Sequence, residues 1–191
     1  MSKSGRYIFK KYKFIINILY GITKIFPKRI RIKLFELHRN TPGKIGVLIR
    51  YIYIKSLAKK CGDNVAIMQN VYFFNVDKLE IGNNVSFHPM CYIDSLGTII
   101  IGNNVSIAHG VSIISFNHGY NDLKIPIKYQ NVEPGRIFID ENVWIGAKAT
   151  ILPNISIGQG AIIGANCVVT HDVKKNTIVG GIPNKVIKNR R

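Results

Sequence analysis

Acidic residues are scarce in this chain. Ten Asp and Glu stand against twenty-seven Lys and Arg over 191 residues, a formal net charge of +17. The shortage is local. Residues 1–60 hold sixteen cations and one acid, Glu36, a net +15, whereas residues 61–191 hold eleven cations and nine acids, a net +2. A basic pI spread over a whole chain would suggest nucleic acid. Here the split argues for a cationic segment, 1–60, attached to an ordinary domain, and it disfavours nucleic acid as a partner. Cysteine is also sparse: Cys61, Cys91 and Cys167 have no metal-type spacing and no even count to pair, which fits a reducing cytoplasm and buried small side chains. Long apolar runs are missing, since no stretch reaches the roughly eighteen residues of a membrane span. Residues 14–26 imitate a signal-peptide core, but Pro27-Lys28-Arg29-Ile30-Arg31 follows where a small-residue cleavage site would be needed, so the segment is expected to be retained. This length leaves room for one substantial domain with an appendage.

What is abundant is a step of six. Ile139, Ile145, Ile151, Ile157, Ile163 and Val169 recur at that interval. A helix repeats near every 3.6 residues and a strand alternates every 2, so the step marks an internal repeat of one short strand plus one turn. Gly146, Gly158 and Gly164 follow the anchors, and small residues (Ala149, Ala161, Cys167) fill fifth places. Asn142, Asn154, Gly160 and Asn166 hold fourth places, the residue types that accept positive φ at a corner. Three hexads make one triangular turn of about eighteen residues, which predicts Ile145 over Ile163, Ile139 over Ile157 and Ile151 over Val169. An evenly spaced β-sandwich is the bland alternative. Earlier sets, Ile81-Phe87-Ile93 and Ile101-Ile107-Ile113, are offset by twenty, which predicts two-residue bulges at corners near Lys78 and Gly97. Asn84, Asn104 and Gly110 again hold fourth places, and weak repeats begin near Cys61 with Ile67 and Phe73.

The hexads break between Ile113 and Ile139, so residues 117–136 read as a loop ejected from the coil. A loop this long in a compact domain carries function or disorder. After Val169 the coil is expected to end, leaving a basic tail over 181–191. Upstream, apolar residues at 8, 12, 15, 19, 22 and 26 form a helical stripe, with Lys10, Lys11, Lys13 and Lys24 mainly off it. Shorter helices are expected over 29–40 and about 46–60, although Tyr51-Ile52-Tyr53-Ile54 would also suit a strand. The stripe supports two readings. It lies in an anionic membrane surface, making the protein peripheral on the inner face of the cell membrane, or it packs on the coil as a cap.

These hexads, with Asn142-Val-Trp-Ile-Gly146 and Gly181-Ile-Pro-Asn-Lys-Val-Ile187, resemble the hexapeptide-repeat acyltransferases. The resemblance covers residues 61–188 and is nearest to the sugar and surface-polysaccharide O-acetyltransferases. It implies an all-β core, a left-handed parallel β-helix over 61–180. The hand rests on the resemblance alone, because the general rule favours right-handed crossovers. It also implies a homotrimer with acetyl-CoA as donor and a sugar or glycan as acceptor.

His118 ends Ile113-Ile-Ser-Phe-Asn-His118 at the coil–loop junction, where the resemblance places the catalytic histidine. A base near neutrality suits removal of a hydroxyl proton. His88, thirty residues earlier, matches an acceptor-pocket position that is commonly Asn. Asp94 is read as an acceptor ligand, a positioner of His118 or a corner aspartate, while His109 and His171 are read as structural or solvent-facing. The resemblance further implies that Trp144 packs on the pantetheine arm and that the Ala147 N–H meets the thioester. Ala165 and Thr170 would contact the arm and adenosine, and Lys185 and Lys188 the nucleotide phosphates. His171 departs from the family's usual Lys or Arg. No metal is expected: γ-class carbonic anhydrases share such a coil, but His88, His109 and His118 do not match their ligand spacing. Alternatives kept open are N-acetylation of an amino sugar and a non-catalytic basic scaffold.

Overall fold

The computed structural model describes residues 5–190, excepting the side chains of Gly5 and Ile8. Ile8 of the expected stripe and Arg191 of the expected tail therefore lie outside what is described. Three helices come first: α1 (Gly5–Thr23), α2 (Lys28–Leu37) and α3 (Gly43–Leu57). Pro27 and Pro42 stand immediately before α2 and α3, where a missing N–H costs nothing. Tyr51-Ile52-Tyr53-Ile54, ambiguous in sequence, is helical, and three of its four residues are buried. Tertiary burial has decided against the β propensity of these side chains.

From Lys60 onward the chain is a three-sided parallel β-helix. Face A carries Lys60–Cys61, Leu79–Ile81, Ile99–Ile101, Ile137–Ile139 and Ser156–Ile157, hydrogen-bonded in that order. Face B runs from Ala66–Ile67 through Ser86–Phe87, Ser106–Ile107, Trp144–Ile145 and Ile162–Ile163 to Thr177–Gly180. Face C runs from Tyr72–Phe74 through Tyr92–Asp94, Ser112–Ile114 and Thr150–Ile151 to Val168–Val169. The anticipated stacks are the observed registers: Ile145 with Ile163, Ile139 with Ile157, Ile151 with Val169. Each hexad buries its anchor and the residue two before it, as Val143 and Ile145 or Ala149 and Ile151. Two inward side chains per strand share one column, which is why fifth places are small. A fully buried Ile contributes about 1.5–3 kcal/mol, and the column repeats it coil after coil.

The corners follow the fourth-place rule. Asn64, Asn84, Asn104, Asn142, Asn154 and Asn166 all have positive φ, as do Gly110 and Gly160. The twenty-residue coils carry their extra length where face C turns to face A, as a 3-10 turn at Val76–Lys78 and a turn through Gly97 and Thr98. One expectation needs correcting. The coil does not end at Val169: Val173 bridges Ile157, and Ile178 and Val179 pair with Ile162 and Ile163. Within the basic tail, Lys185–Asn189 turns back as an antiparallel strand on Thr177–Gly180. Those strand edges would otherwise be unpaired.

The helices close the other end. Phe35, Tyr51, Ile52, Ile54 and Leu57 join the core of the first coils. Arg50 is buried and donates to the carbonyls of Ile67, at 2.9 Å, and Thr41, at 2.7 Å. It ties the turn between α2 and α3 to face B. Lys13 of α1 and Lys55 of α3 both reach Asp63, at 2.7 and 2.9 Å, and hold its carboxyl below the usual carboxylate range.

Candidate functional site

His118 stands at the root of a hairpin arm. What the sequence presents as a loop leaves the edge between faces C and A as an antiparallel pair, Phe116–His118 with Val132–Pro134, and carries a 3-10 turn at Ile127–Tyr129 near its tip. Ser115 fixes the root. It is buried, its Oγ accepts from the Gly97 N–H at 2.9 Å and donates to the Asp94 carbonyl at 2.7 Å, and its own carbonyl accepts from the Gly135 N–H at 2.8 Å. A Cβ on Gly97 would lie 2.1 Å from the Ser115 oxygen and 2.4 Å from the Gly135 nitrogen, so this crossing requires glycine. The His118 ring is exposed, stands edge-on to Phe116 at 6.4 Å between centroids, and has no hydrogen-bond partner among the described residues. Its backbone is fixed while its ring is free to meet something outside this chain.

Asp94 lies one coil earlier at the same edge. It is buried, and its Oδ1 accepts from Asn75 Nδ2 at 2.7 Å and from the Leu96 N–H at 3.3 Å. No hydrogen bond joins it to His118, and its contacts are those of a corner aspartate. His88 lies on a different edge, between faces B and C, where its N–H donates to the Ile107 carbonyl at 2.9 Å and its side chain is exposed.

Most of the residues assigned to the donor gather on face B and on the B–C edge, whereas Thr170 directly follows the face C strand Val168–Val169 and so lies at the C–A edge. Trp144 faces outward, beside Ile162 in the next coil. Ile162 pairs with Ile178, and Ile178 with Lys188. Trp144 and Lys188 thus mark the two ends of one outward column, three ladder steps or about 14 Å long. Lys188 also lines a hollow of about 730 Å³ with Ile178, Asn189 and Arg190. Ala147 and Ala165 stack on the B–C edge, where the Asn166 N–H donates to the Ala147 carbonyl at 2.8 Å. The neighbouring amides of Gly146 and Lys148 are used by the ladder, whereas that of Ala147 finds no backbone acceptor among the described residues. Thr170 is clamped: its N–H donates to Asn184 Oδ1 at 2.9 Å, and its Oγ sits 2.7 Å from His171 Nδ1. Lys185 is exposed on the final strand, paired with Gly180.

The candidate residues of one chain therefore fall on different edges. His118 and Asp94 occupy the C–A edge, while His88, Ala147 and Ala165 occupy the B–C edge, a full face away. That is roughly five extended residues, about 15 Å. Sequence reasoning missed Ser115, and it named Gly97 only as a bulge corner and Asn184 only within the 181–187 phrase; all three hold these parts in place. Serine is common in loops, and nothing in the spacing of Ser115 sets it apart. A usable signal did exist at Met90 and Lys148. Both take positive φ at fourth places where Asn or Gly is the rule, and such strain collects at functional positions. Among the described residues no three His, Cys, Asp or Glu side chains converge as metal ligands would.

The comparisons with known proteins agree with this architecture. The family description "Bacterial transferase hexapeptide (six repeats)" matches residues 136–171. WbbJ of Escherichia coli K12, whose name assigns it to lipopolysaccharide biosynthesis as an O-acetyl transferase, is 36% identical over 89 residues, 43% of this chain and 45% of its own length. The chain thus spans less than half the length of that relative. Galactoside O-acetyltransferase of the same organism is 30% identical over 168 residues, 84% of this chain and 78% of that protein. Among solved structures, a maltose O-acetyltransferase from Clostridium difficile 630 superposes with a TM-score of 0.73 at 28% identity, covering 88% of this chain and 89% of its own. A galactoside acetyltransferase in complex with coenzyme A superposes with a TM-score of 0.65 at 27% identity, covering 86% and 81%. With repeats, coil and a relative matched along most of both chains, the protein belongs to the hexapeptide-repeat acetyltransferases.

Proposed function

We propose that this protein transfers an acetyl group from acetyl-CoA to a sugar hydroxyl of a surface polysaccharide or its lipid-linked precursor. The observation that carries the reading is the outward column on face B, with an aromatic ring at one end and a cation at the other. An extended, phosphorylated thioester needs both. Trp144 offers an apolar wall for the pantetheine arm, Lys185 and Lys188 offer cations for the phosphates, and the free Ala147 N–H offers a donor to the thioester oxygen as charge develops there. The small side chains of Ala147 and Ala165 leave the edge open. Coenzyme A bound to a relative, and the sugar acceptors named for others, support the same assignment.

The chemistry then runs in one transfer. His118 takes the proton of the attacking hydroxyl, the sugar oxygen bonds to the carbonyl carbon, the carbon–sulfur bond breaks, and the proton passes to the departing thiolate of CoA. The three thiols are poorly suited to form a covalent acyl-enzyme, because burial raises those of Cys61 and Cys91 to about 12 and about 11 and raises that of Cys167. His118 and the donor column sit on different edges of one coil, so a complete site forms where the C–A edge of one copy meets the B–C edge of another, in a homotrimer. Exposed Tyr120, Leu123, Ile127 and Tyr129 on the arm suit burial against that neighbour.

The test is a thiol-release assay with acetyl-CoA against a panel of neutral sugars, amino sugars and short glycans. Hydroxyl-dependent release of CoA is expected with neutral sugars or glycans. Turnover confined to free amines would replace the reading by N-acetylation, and no turnover with any acceptor would leave a binding scaffold.

A further inference from the structure

The first helix has two apolar faces, and the fold uses one. Phe9, Ile16 and Tyr20 turn inward. Ile16 is 5% exposed, and the Phe9 ring meets Tyr51 of α3 edge-on at 5.7 Å. Lys13, on the same side, reaches Asp63. The stripe that the sequence displays most clearly points the other way. Ile15 and Ile22 are 52% and 48% exposed, Phe14 is 78% exposed, and Ile18 and Leu19 stand open between them. The strip continues past the helix end to Phe26. An apolar surface this size on a folded protein marks an interaction site.

The charges around it name the partner. Lys13, Lys28, Lys55 and Lys59 are paired with Asp63, Asp77 and Glu80 of the coil. Among the described residues Lys10, Lys11, Lys24, Arg29 and Lys33 have no carboxylate partner, and α1 itself contains no acid. A second copy laid on this face would bring like charges together. A nucleic acid would satisfy the cations and leave the aliphatic strip in water. A surface that is anionic outside and hydrocarbon within satisfies both. No described helix is long and apolar enough to cross a membrane, so α1 would lie in the interface plane.

We propose that the outer face of α1 docks the protein on an anionic lipid surface, with Phe14, Ile15, Ile18, Leu19 and Ile22 in the acyl boundary and Lys10, Lys11 and Lys24 at the headgroups. The docking rests on the helix alone and stands whether or not the transfer chemistry is as described. The test is co-sedimentation of the full chain with phosphatidylcholine vesicles, with and without phosphatidylglycerol. The full chain should sediment with the anionic vesicles, less so as salt rises. Ile15→Glu/Ile22→Glu leaves the packed face of Phe9, Ile16 and Tyr20 intact and should lower partitioning by about tenfold or more, with an unchanged mass by light scattering. Protein that stays in the supernatant beside anionic vesicles at low salt overturns the proposal. So does a double variant that binds like the parent, and so does one with a smaller mass, which would make the strip a contact between copies.

Discussion

At the scale of single residues, His118 combines a rigid backbone with an idle ring. Ser115, one strand position before the hairpin, is buried and bonded to Asp94, Gly97 and Gly135, while the ring three residues on has no hydrogen-bond partner among the described residues. If that ring takes the acceptor's proton, His118→Ala should lower kcat by roughly 10²–10⁴-fold and leave acetyl-CoA affinity nearly unchanged. Steady-state kinetics beside a direct CoA binding measurement checks this; near-normal turnover in a folded variant would assign the proton to another group. His118 drew attention in the sequence because it stands where a strict period fails. Asp94 was legible only as a choice of three roles, and its bonds to Asn75 and Leu96 are those of the corner. A carboxylate's partners depend on which coil lies beside it, and that is a matter of register as well as order.

At the scale of elements, the coil could be read from anchors and corners almost residue by residue, since a repeat with one inward pair per strand permits few other registers. The arm could not. Its strands, Phe116–His118 and Val132–Pro134, are short and mostly exposed, so they carry no burial pattern. Their pairing depends on the root. Ser115→Ala would strip the Gly97 N–H of its acceptor in a buried place, costing about 1–2 kcal/mol. The expected outcome is a lower thermal midpoint together with a drop of about tenfold in kcat and an unchanged KM for acetyl-CoA, because the donor column lies on another face. A variant that loses stability but keeps full kcat would show that the arm's root has no part in placing His118. The first helix taught a different lesson. Its most regular stripe faces outward, and the packing falls on Phe9, Ile16 and Tyr20. Periodicity reports that a helix has an apolar face, and a helix with two such faces does not say which one the fold will choose.

At the scale of the whole molecule, if the proposed donor and acceptor residues on different edges form one site, catalysis is a property of the assembly. Light scattering should report three copies. Co-expression of His118→Ala with Ala147→Asp gives a sharper measurement, since each variant alone should be inactive. In a cyclic trimer every mixed assembly contains one intact pair of edges, so random mixing should restore about a quarter of the parent activity. No recovery from verified mixed trimers would place both half-sites' work within one copy. The coil also treats its three edges unequally. The C–A edge absorbs two extra residues after Phe74, two more after Asp94, and the whole 116–134 hairpin after Ile114, yet Ile101 still stacks on Ile139 and Ile113 on Ile151. The other two edges admit no such additions among the coils that carry the donor column. The scaffold thus behaves as a socket with one open port. Chain can be lengthened, shortened or exchanged at that port while face B keeps its register. Under the proposed function, such a fold can take up new acceptors by rewriting that one insertion while face B stays constant.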